Sequence, residues 1–289
     1  MYLPIFGSIA LAAGTILERV VLKHRNMNIK VYHVMSFFFL TLLMLPLVFF
    51  FWNITPEATE VSTILIFGIV IILSMAANYF TFFSMKWEKL SNLEPAKMTE
   101  PLFTIVLALL FSFIIGESLY ERNLTVLIPA LVAGAALILS HIEKSHFKFN
   151  KYLLAAVLGS LFFAAELVTS RLILDYFSPL AFYFVRCASI FLISLIVFRP
   201  KFRQHLTNKD SWIIFGTAAI WIVYRLIIYF GYTSIGVIQT TLMIMLGPIF
   251  IYLLSWIFLK DKPTWKNIIA SIVILLCVVY ATFIWLKVI

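Results

Sequence analysis

Glu94, Lys97 and Glu100 stand at i, i+3 and i+6 in the stretch Leu93-Glu94-Pro95-Ala96-Lys97-Met98-Thr99-Glu100-Pro101. At about 100° per residue on a helix, the three fall within an arc of about 120°, and each carboxylate can pair with the central ammonium. A face of that kind can hold a zwitterion or pass a proton; the competing reading is a solvated helix end. Glu166, on a run that also carries Thr169, Ser170 and Arg171, is the deepest acid of the set and a candidate titrating or ligand-facing group. Arg186 and Arg225 complete the set. The fork of donors on Arg225 suits a carboxylate or phosphate, or could neutralise one of the acids. Tyr224 precedes Arg225, and the aligned Asn78 is followed by Tyr79, so an aromatic and a polar group recur at one depth. Glu94, Lys97, Glu100, Glu166 and Arg225 are therefore the candidate cavity residues, with Asn78, Tyr79 and Tyr224 as neutral partners.

Other chemistries find no residues to carry them. The sequence has no glycine-rich phosphate loop, no nucleophile elbow and no histidine–acid cluster at metal spacing, so no cofactor, no metal and no enzymatic activity are expected. Cys187 and Cys277 both fall in apolar runs and read as small hydrophobes. His33 reads as an interfacial histidine sooner than a proton relay. Arg19 and Arg171 read either as side chains snorkelling to lipid headgroups or as members of the polar interior.

The elements that must position these groups are membrane helices. Apolar residues make up 63% of the 289-residue chain and charged residues 12%. Long, continuous apolar runs satisfy their own backbone only as helices of about 20 residues. Ten such spans are predicted, near 3–22, 31–52, 61–85, 90–115, 124–141, 152–174, 179–198, 211–232, 235–259 and 265–286, with Trp52, Trp87, Trp212, Trp265 and Trp285 near their ends as an interfacial belt. The fold class is all-α membrane protein. A charge at the bilayer centre costs about 2.5–3.5 kcal/mol on insertion scales, which is why the charged residues inside these spans are the places to look for function.

The spans are written twice. Gly7-Ser8-Ile9-Ala10-Leu11-Ala12-Ala13 recurs 152 residues later as Gly159-Ser160-Leu161-Phe162-Phe163-Ala164-Ala165, and six of seventeen aligned positions are identical, Arg19 and Arg171 among them. A second offset of 147 residues aligns Pro101 with Pro248, a paired interruption that marks candidate kinks beside a binding region. Five spans per copy, in units 1–141 and 152–289, force the second copy upside down relative to the first, the inverted-repeat plan of secondary transporters. Fifteen of the 22 Lys and Arg lie in loops after odd-numbered spans, so the net charge of +9 speaks of membrane orientation and not of nucleic acid. That bias predicts odd loops in the cytoplasm and both termini outside.

Five spans twice over, with Pro101-Leu102-Phe103 through Ile115-Gly116-Glu117-Ser118 to Ala133-Gly134 in one copy and Gly247-Pro248-Ile249-Phe250 through Leu259-Lys260-Asp261 to Ala270-Ser271 in the other, resemble the EamA-like branch of the drug/metabolite transporter superfamily. The resemblance implies a ten-helix inverted-repeat bundle with a central cavity, alternating access, export or exchange of small metabolites such as amino acids, and cytoplasmic termini, the reverse of what the basic loops predict. Together these readings predict a multi-pass secondary transporter of the cell membrane. Its expected partners are a small polar solute, the lipid bilayer and, as a candidate coupling ion, the proton; a non-transporting membrane protein or a nucleotide-sugar carrier are the alternatives. The cavity is expected between the first, third, fourth, sixth, eighth and ninth spans.

Overall fold

The computed structural model describes residues 3–23, 27–88, 93, 96–116, 119–120, 123–141, 150–202, 207–254 and 264–288. Among them the helices are α1 (Leu3–Leu22), α2 (Ile29–Phe51), α3 (Val61–Trp87), α4 (Thr99–Ile115), α5 (Leu124–His141), α6 (Lys151–Arg171), α7 (Pro179–Phe198), α8 (Asn208–Ser234), α9 (Val237–Ile244), α10 (Gly247–Leu254) and α11 (Trp265–Val288). Seven of them, α1, α2, α3, α6, α7, α8 and α11, are long and apolar enough to cross a membrane; α4, α5 and the run Val237–Phe250 are shorter apolar helices. Polar residues at the interface start them. The Asn28 side chain accepts from the Lys30 N–H, Asn150 from Tyr152 and Ser178 from Ala181, and Thr207 and Asp210 form a capping box. The helices are apolar on their outer faces too: Phe49 is 84% exposed, and Phe50, Ile114 and Ile196 are exposed likewise, which suits lipid as the surrounding solvent.

Hydrogen bonds tie the helix ends into two faces. On one, Arg19 at the end of α1 donates to the Met85 carbonyl near the end of α3, Lys86 donates to Met27 before α2, and Asn150 before α6 donates to Glu88 at 2.7 Å. This face also holds Lys23, Lys30, Lys151, Lys209 and Lys266 and is called the basic face below. At the opposite face the segment after α2 lies along the segment after α6: Thr55 donates to Tyr176 at 2.9 Å, Ser178 to Asn53 at 2.8 Å, and Ile54 and Phe177 form an isolated antiparallel bridge. The Tyr120 hydroxyl, before α5, donates to the Val168 carbonyl at 2.7 Å.

The helix pairings cross between the halves. α3 packs on α6 and α1 on α8; α4 packs on α6 and α10 on α1; α2 meets α7, and α5 meets α11. The shared Gly-Ser-…-Ala-Ala string explains the first two. A Cβ on Gly159 would meet Thr81 Oγ1 at 2.5 Å, and one on Gly7 would meet Ile227 Cγ2 at 2.9 Å; Ala12 and Ala164, four to five residues on, are fully buried. Small residues at this spacing let two backbones approach, which is how helices associate where lipid competes for apolar surface.

The fourth and ninth predicted spans are not continuous. The ninth divides into α9 and α10 at a turn through Met245 and Leu246, and α4 starts at Thr99 after a turn at Met98. Those turns are 147 residues apart, the offset that relates Pro101 to Pro248. Both prolines sit in the first turn of a new helix, where a missing N–H costs nothing, so they open helices and do not kink continuous ones. One exposed backbone group is taken up locally: the Ala96 carbonyl accepts Thr99 Oγ1 at 2.6 Å and Ser160 Oγ at 3.0 Å.

Candidate substrate cavity

A cavity of about 140 Å³ lies where the two broken segments meet the long helices, and Met98, Pro101, Met245 and Pro248 are all on its wall. Its polar wall is formed by Glu18 and Thr15 of α1, Tyr32 and Ser36 of α2, Asn78 and Thr81 of α3, Lys97, Glu100 and Thr104 around the start of α4, Arg186 of α7 and Thr217, Tyr224 and Arg225 of α8. Phe37, Phe82, Phe163 and Trp221 supply aromatic surface between them. α2, α7 and, through Leu137, α5 join the six spans expected from sequence.

Each half of the chain contributes one buried ionic cluster, and the two sit toward opposite faces. In the second half Glu166 is the hub. One oxygen accepts Arg186 Nη1, the Tyr229 hydroxyl at 3.3 Å and the Ser170 hydroxyl at 3.3 Å; the other accepts Arg225 Nη1 at 3.3 Å. The guanidinium carbon of Arg186 lies 4.9 Å from the centroid of the Tyr183 ring, and that of Arg225 lies 5.3 Å from the centroid of Phe163, so aromatic faces shield the charges where the carboxylate does not. At 1.5 Å per residue, Glu166 and Tyr229 lie about 7–8 Å from the ends of α6 and α8 at the non-basic face, and Arg225 about 14 Å in, close to the middle of α8. In the first half the cluster is Glu18, Tyr32 and Lys97. Tyr32 donates to Glu18 at 3.4 Å, Lys97 acts on the same carboxyl through space, and both Glu18 and Tyr32 lie about 4–6 Å from helix ends at the basic face.

Glu100 belongs to neither cluster. It faces the charges of Arg225 and Lys97, and its carboxylate makes no hydrogen bond among the described residues. The Arg225 guanidinium uses one N–H on Glu166 and also lines the cavity. The wall therefore presents an open acceptor and a partly committed donor fork to the same space.

The residues expected from sequence divide accordingly. Lys97, Glu100, Arg225, Asn78 and Tyr224 are on the cavity wall, with Pro101 and Pro248. Glu166 is not; fully buried, it stands behind the wall as the counter-ion of two arginines. Tyr79 is a correction: it is 37% exposed, with its ring against Phe80 and Phe198, because neighbours on a helix are about 100° apart and Asn78 takes the inward position. Tyr224 and Arg225 both stay inward because the exposed stripe of α8 runs through Trp212, Val223 and Phe230. Glu94 lies outside the described residues, as do Glu117 and Asp261. His33 is a further correction: fully buried and without a hydrogen-bond partner among the described residues, it is boxed by Phe37, Phe82 and Phe198 at 4.9–5.8 Å and is not on the cavity wall. Arg19 and Arg171 end on the Met85 carbonyl and, at 2.7 Å, on Asp175, so both serve helix ends. Glu18 and Tyr32 were missed. The signal was there in Leu11, Thr15 and Glu18, a helical i, i+4, i+7 stripe that all reaches the cavity.

Residues 150–283 match the EamA-like transporter family. The match covers 134 of the 289 residues, a little under half of the chain. The matched residues contribute α6 to α10 and most of α11, and with them the whole Glu166 cluster. With seven helices able to cross a bilayer, the chain is a multi-pass membrane protein, and residues 150–283 carry the match to a domain of the drug/metabolite transporter superfamily. One solved structure, described only as a crystal structure of a protein, matches 99% of this chain and 97% of its own length with a TM-score of 0.70 and 15% identity, a likeness of fold alone. No curated protein matches the sequence.

Proposed function

We propose that the chain is a secondary transporter of ten spans, two five-helix units of opposite orientation, that carries a small zwitterionic metabolite through the central cavity by alternating access. The observation that carries this reading is the pairing of Glu100 and Arg225 on one wall: an unbonded carboxylate that suits an amine, opposite a guanidinium with free N–H groups that suits a carboxylate. Aromatic surface from Phe163 and Trp221 leaves room for an apolar side chain between them. Arg186 and Arg225 share one counter-ion in Glu166 and so bring less uncompensated positive charge to the cavity than a phosphate ester, whose charge needs clustered free cations, would require.

Two further features support the inverted-repeat plan. Exchanging the first five spans with the second five turns the α3–α6 pairing into α8–α1 and the α4–α6 pairing into α10–α1, while α2–α7 and α5–α11 map onto themselves. Both fourth-position spans also break at equivalent methionines on the cavity wall, as discontinuous helices do at transporter binding sites. With basic loops in the cytoplasm, the chain sits in the cell membrane and exports its solute.

The test is a thermal-shift screen of amino acids, polyamines, sugars and nucleotide sugars, followed by flux in proteoliposomes. A solute that binds only the folded state raises its melting temperature. Saturable flux of that solute that falls in Glu100→Gln and in Arg225→Gln supports the reading. Absence of any saturable flux across the panel rejects it in favour of a non-transporting membrane protein on the same fold.

A further inference from the structure

Glu166 would be the first choice for a proton-carrying group in this protein, and its geometry argues against that role. Two guanidiniums and two hydroxyls converge on its carboxylate, and it has no place on the cavity wall. Its hydrogen-bonding capacity is spent on structural partners behind the wall.

Glu18 has the opposite environment. It is only 6% exposed, yet it is on the cavity wall, where it can meet water. Among the described residues the hydrogen bond to it is from the Tyr32 hydroxyl at 3.4 Å, which is long for a bond to an ionised carboxylate. The surrounding elements offer little more. On its own helix Arg19 is turned to the Met85 carbonyl; α2 offers Tyr32; Lys86 of α3 is bonded to Met27; the approach to α4 brings Lys97 and, deeper, Glu100. α8 turns Ile214, Thr217 and Trp221 to the cavity near Glu18, while its Asp210 is held in the Thr207 capping box and its Arg225 lies deeper on Glu166. α9 and α10 add the uncharged Ile244 and Pro248.

We infer that Glu18 is the proton-coupling group of the transport cycle, with Tyr32 as its hydrogen-bonding relay and Lys97 as the charge that senses its state. The inference rests on the transport reading above. In the proton-loading step a hydronium ion from the aqueous phase gives its proton to a Glu18 carboxylate oxygen; the O–H bond forms and water leaves. Tyr32 then turns from donor to acceptor, since a phenol can do either and a protonated carboxyl can donate. Lys97 loses a counter-charge, and the first-half cluster gains one positive charge, which changes its attraction for an anionic group in the cavity. Deprotonation to the other side reverses each step. Glu18 and Glu166 thus divide the work: one half holds a carboxyl that changes charge near the basic face, the other a carboxyl that binds two guanidiniums.

The full-length protein in detergent is probed by infrared difference spectroscopy between acid and neutral pH. Wild type shows a protonated-carboxyl band that Glu18→Gln removes and Glu166→Gln retains. An undiminished band in a folded Glu18→Gln protein overturns the inference. Should Glu18→Gln fail to fold, Tyr32→Phe provides the same decision: the band must change frequency or move its midpoint, and a band identical to wild type overturns the assignment. In proteoliposomes one pH unit can sustain about a tenfold accumulation for one proton per solute. Wild type accumulates the screened solute under that gradient, whereas Glu18→Gln exchanges it without accumulating it. pH-driven accumulation by Glu18→Gln equal to wild type refutes the proton site and leaves transport standing. A Glu18-dependent infrared band in a protein that moves no solute does the reverse.

Discussion

Gly159 of α6 lies flush against Thr81 of α3: a Cβ at position 159 would sit 2.5 Å from Thr81 Oγ1, 3.2 Å from its backbone nitrogen and 3.4 Å from the Ala77 carbonyl oxygen. Its repeat counterpart Gly7 meets only the tips of Ile227 and Ile244 side chains, each at 2.9 Å. The same residue in the same motif thus faces rigid backbone in one half and movable methyls in the other.

Gly159→Ala is expected to destabilise the protein by about 1–3 kcal/mol, the usual range for overpacking, because neither the Thr81 backbone nor the helix carrying it can yield. Gly7→Ala should cost less. Gly68→Ala, with nothing within 4 Å of the new Cβ, should be neutral or stabilising by up to about 1 kcal/mol from helix propensity. Melting temperatures of the three variants in detergent give the order directly, and equal values for positions 159 and 68 would show that the α3–α6 seam has slack.

Removing one partner of a buried ion pair leaves a charge without compensation. Arg186→Ala exposes Glu166 to a single guanidinium at 3.3 Å, and a loss of about 3–5 kcal/mol is expected. Asp175→Ala should cost less, because that carboxylate is half exposed and water can take its place beside the buried Arg171. Thermal unfolding compares them, and similar melting temperatures would deny the Glu166 cluster its structural weight.

Glu100 and Arg225 face the same cavity but differ in what they do without a ligand. Glu100→Gln should leave the melting temperature of the empty protein close to wild type while reducing the shift produced by an amine-bearing solute. Arg225→Gln removes one of the two guanidiniums on Glu166 and should lower both. A ligand-induced shift untouched in Glu100→Gln would take that residue out of the binding site.

A tag fused after Ile289 tests the orientation that the basic loops predict. With those loops in the cytoplasm, the tag is accessible to an impermeant antibody on intact cells. Protection of the tag until the membrane is opened would place the termini inside and reverse the inferred direction of transport.

Much of this protein was legible as text. The apolar runs could only be membrane helices, and the 147-residue offset located the two interruptions before Pro101 and Pro248. The basic loops divided one face from the other. Helical periodicity also brought Lys97 and Glu100 to one wall. What periodicity cannot supply is the partner of each face, since that depends on how closely and at what tilt another helix approaches. Two residues of one type, Glu166 and Glu100, therefore exchanged their expected weights: α7 and α8 bring Arg186 and Arg225 onto Glu166 and consume its charge, while Glu100 faces the open space of the cavity. Tyr79 and Tyr224 occupy aligned positions yet separate: Tyr79 is 37% exposed on α3, while on α8 the outward stripe runs through Val223 and Phe230 and Tyr224 is buried. Glu18 drew no notice beside Arg19 until the α1–α2 hairpin set Tyr32 against it. Burial and pairing are properties of contacts between distant segments, and a one-dimensional string carries the capacity for them without stating which are made.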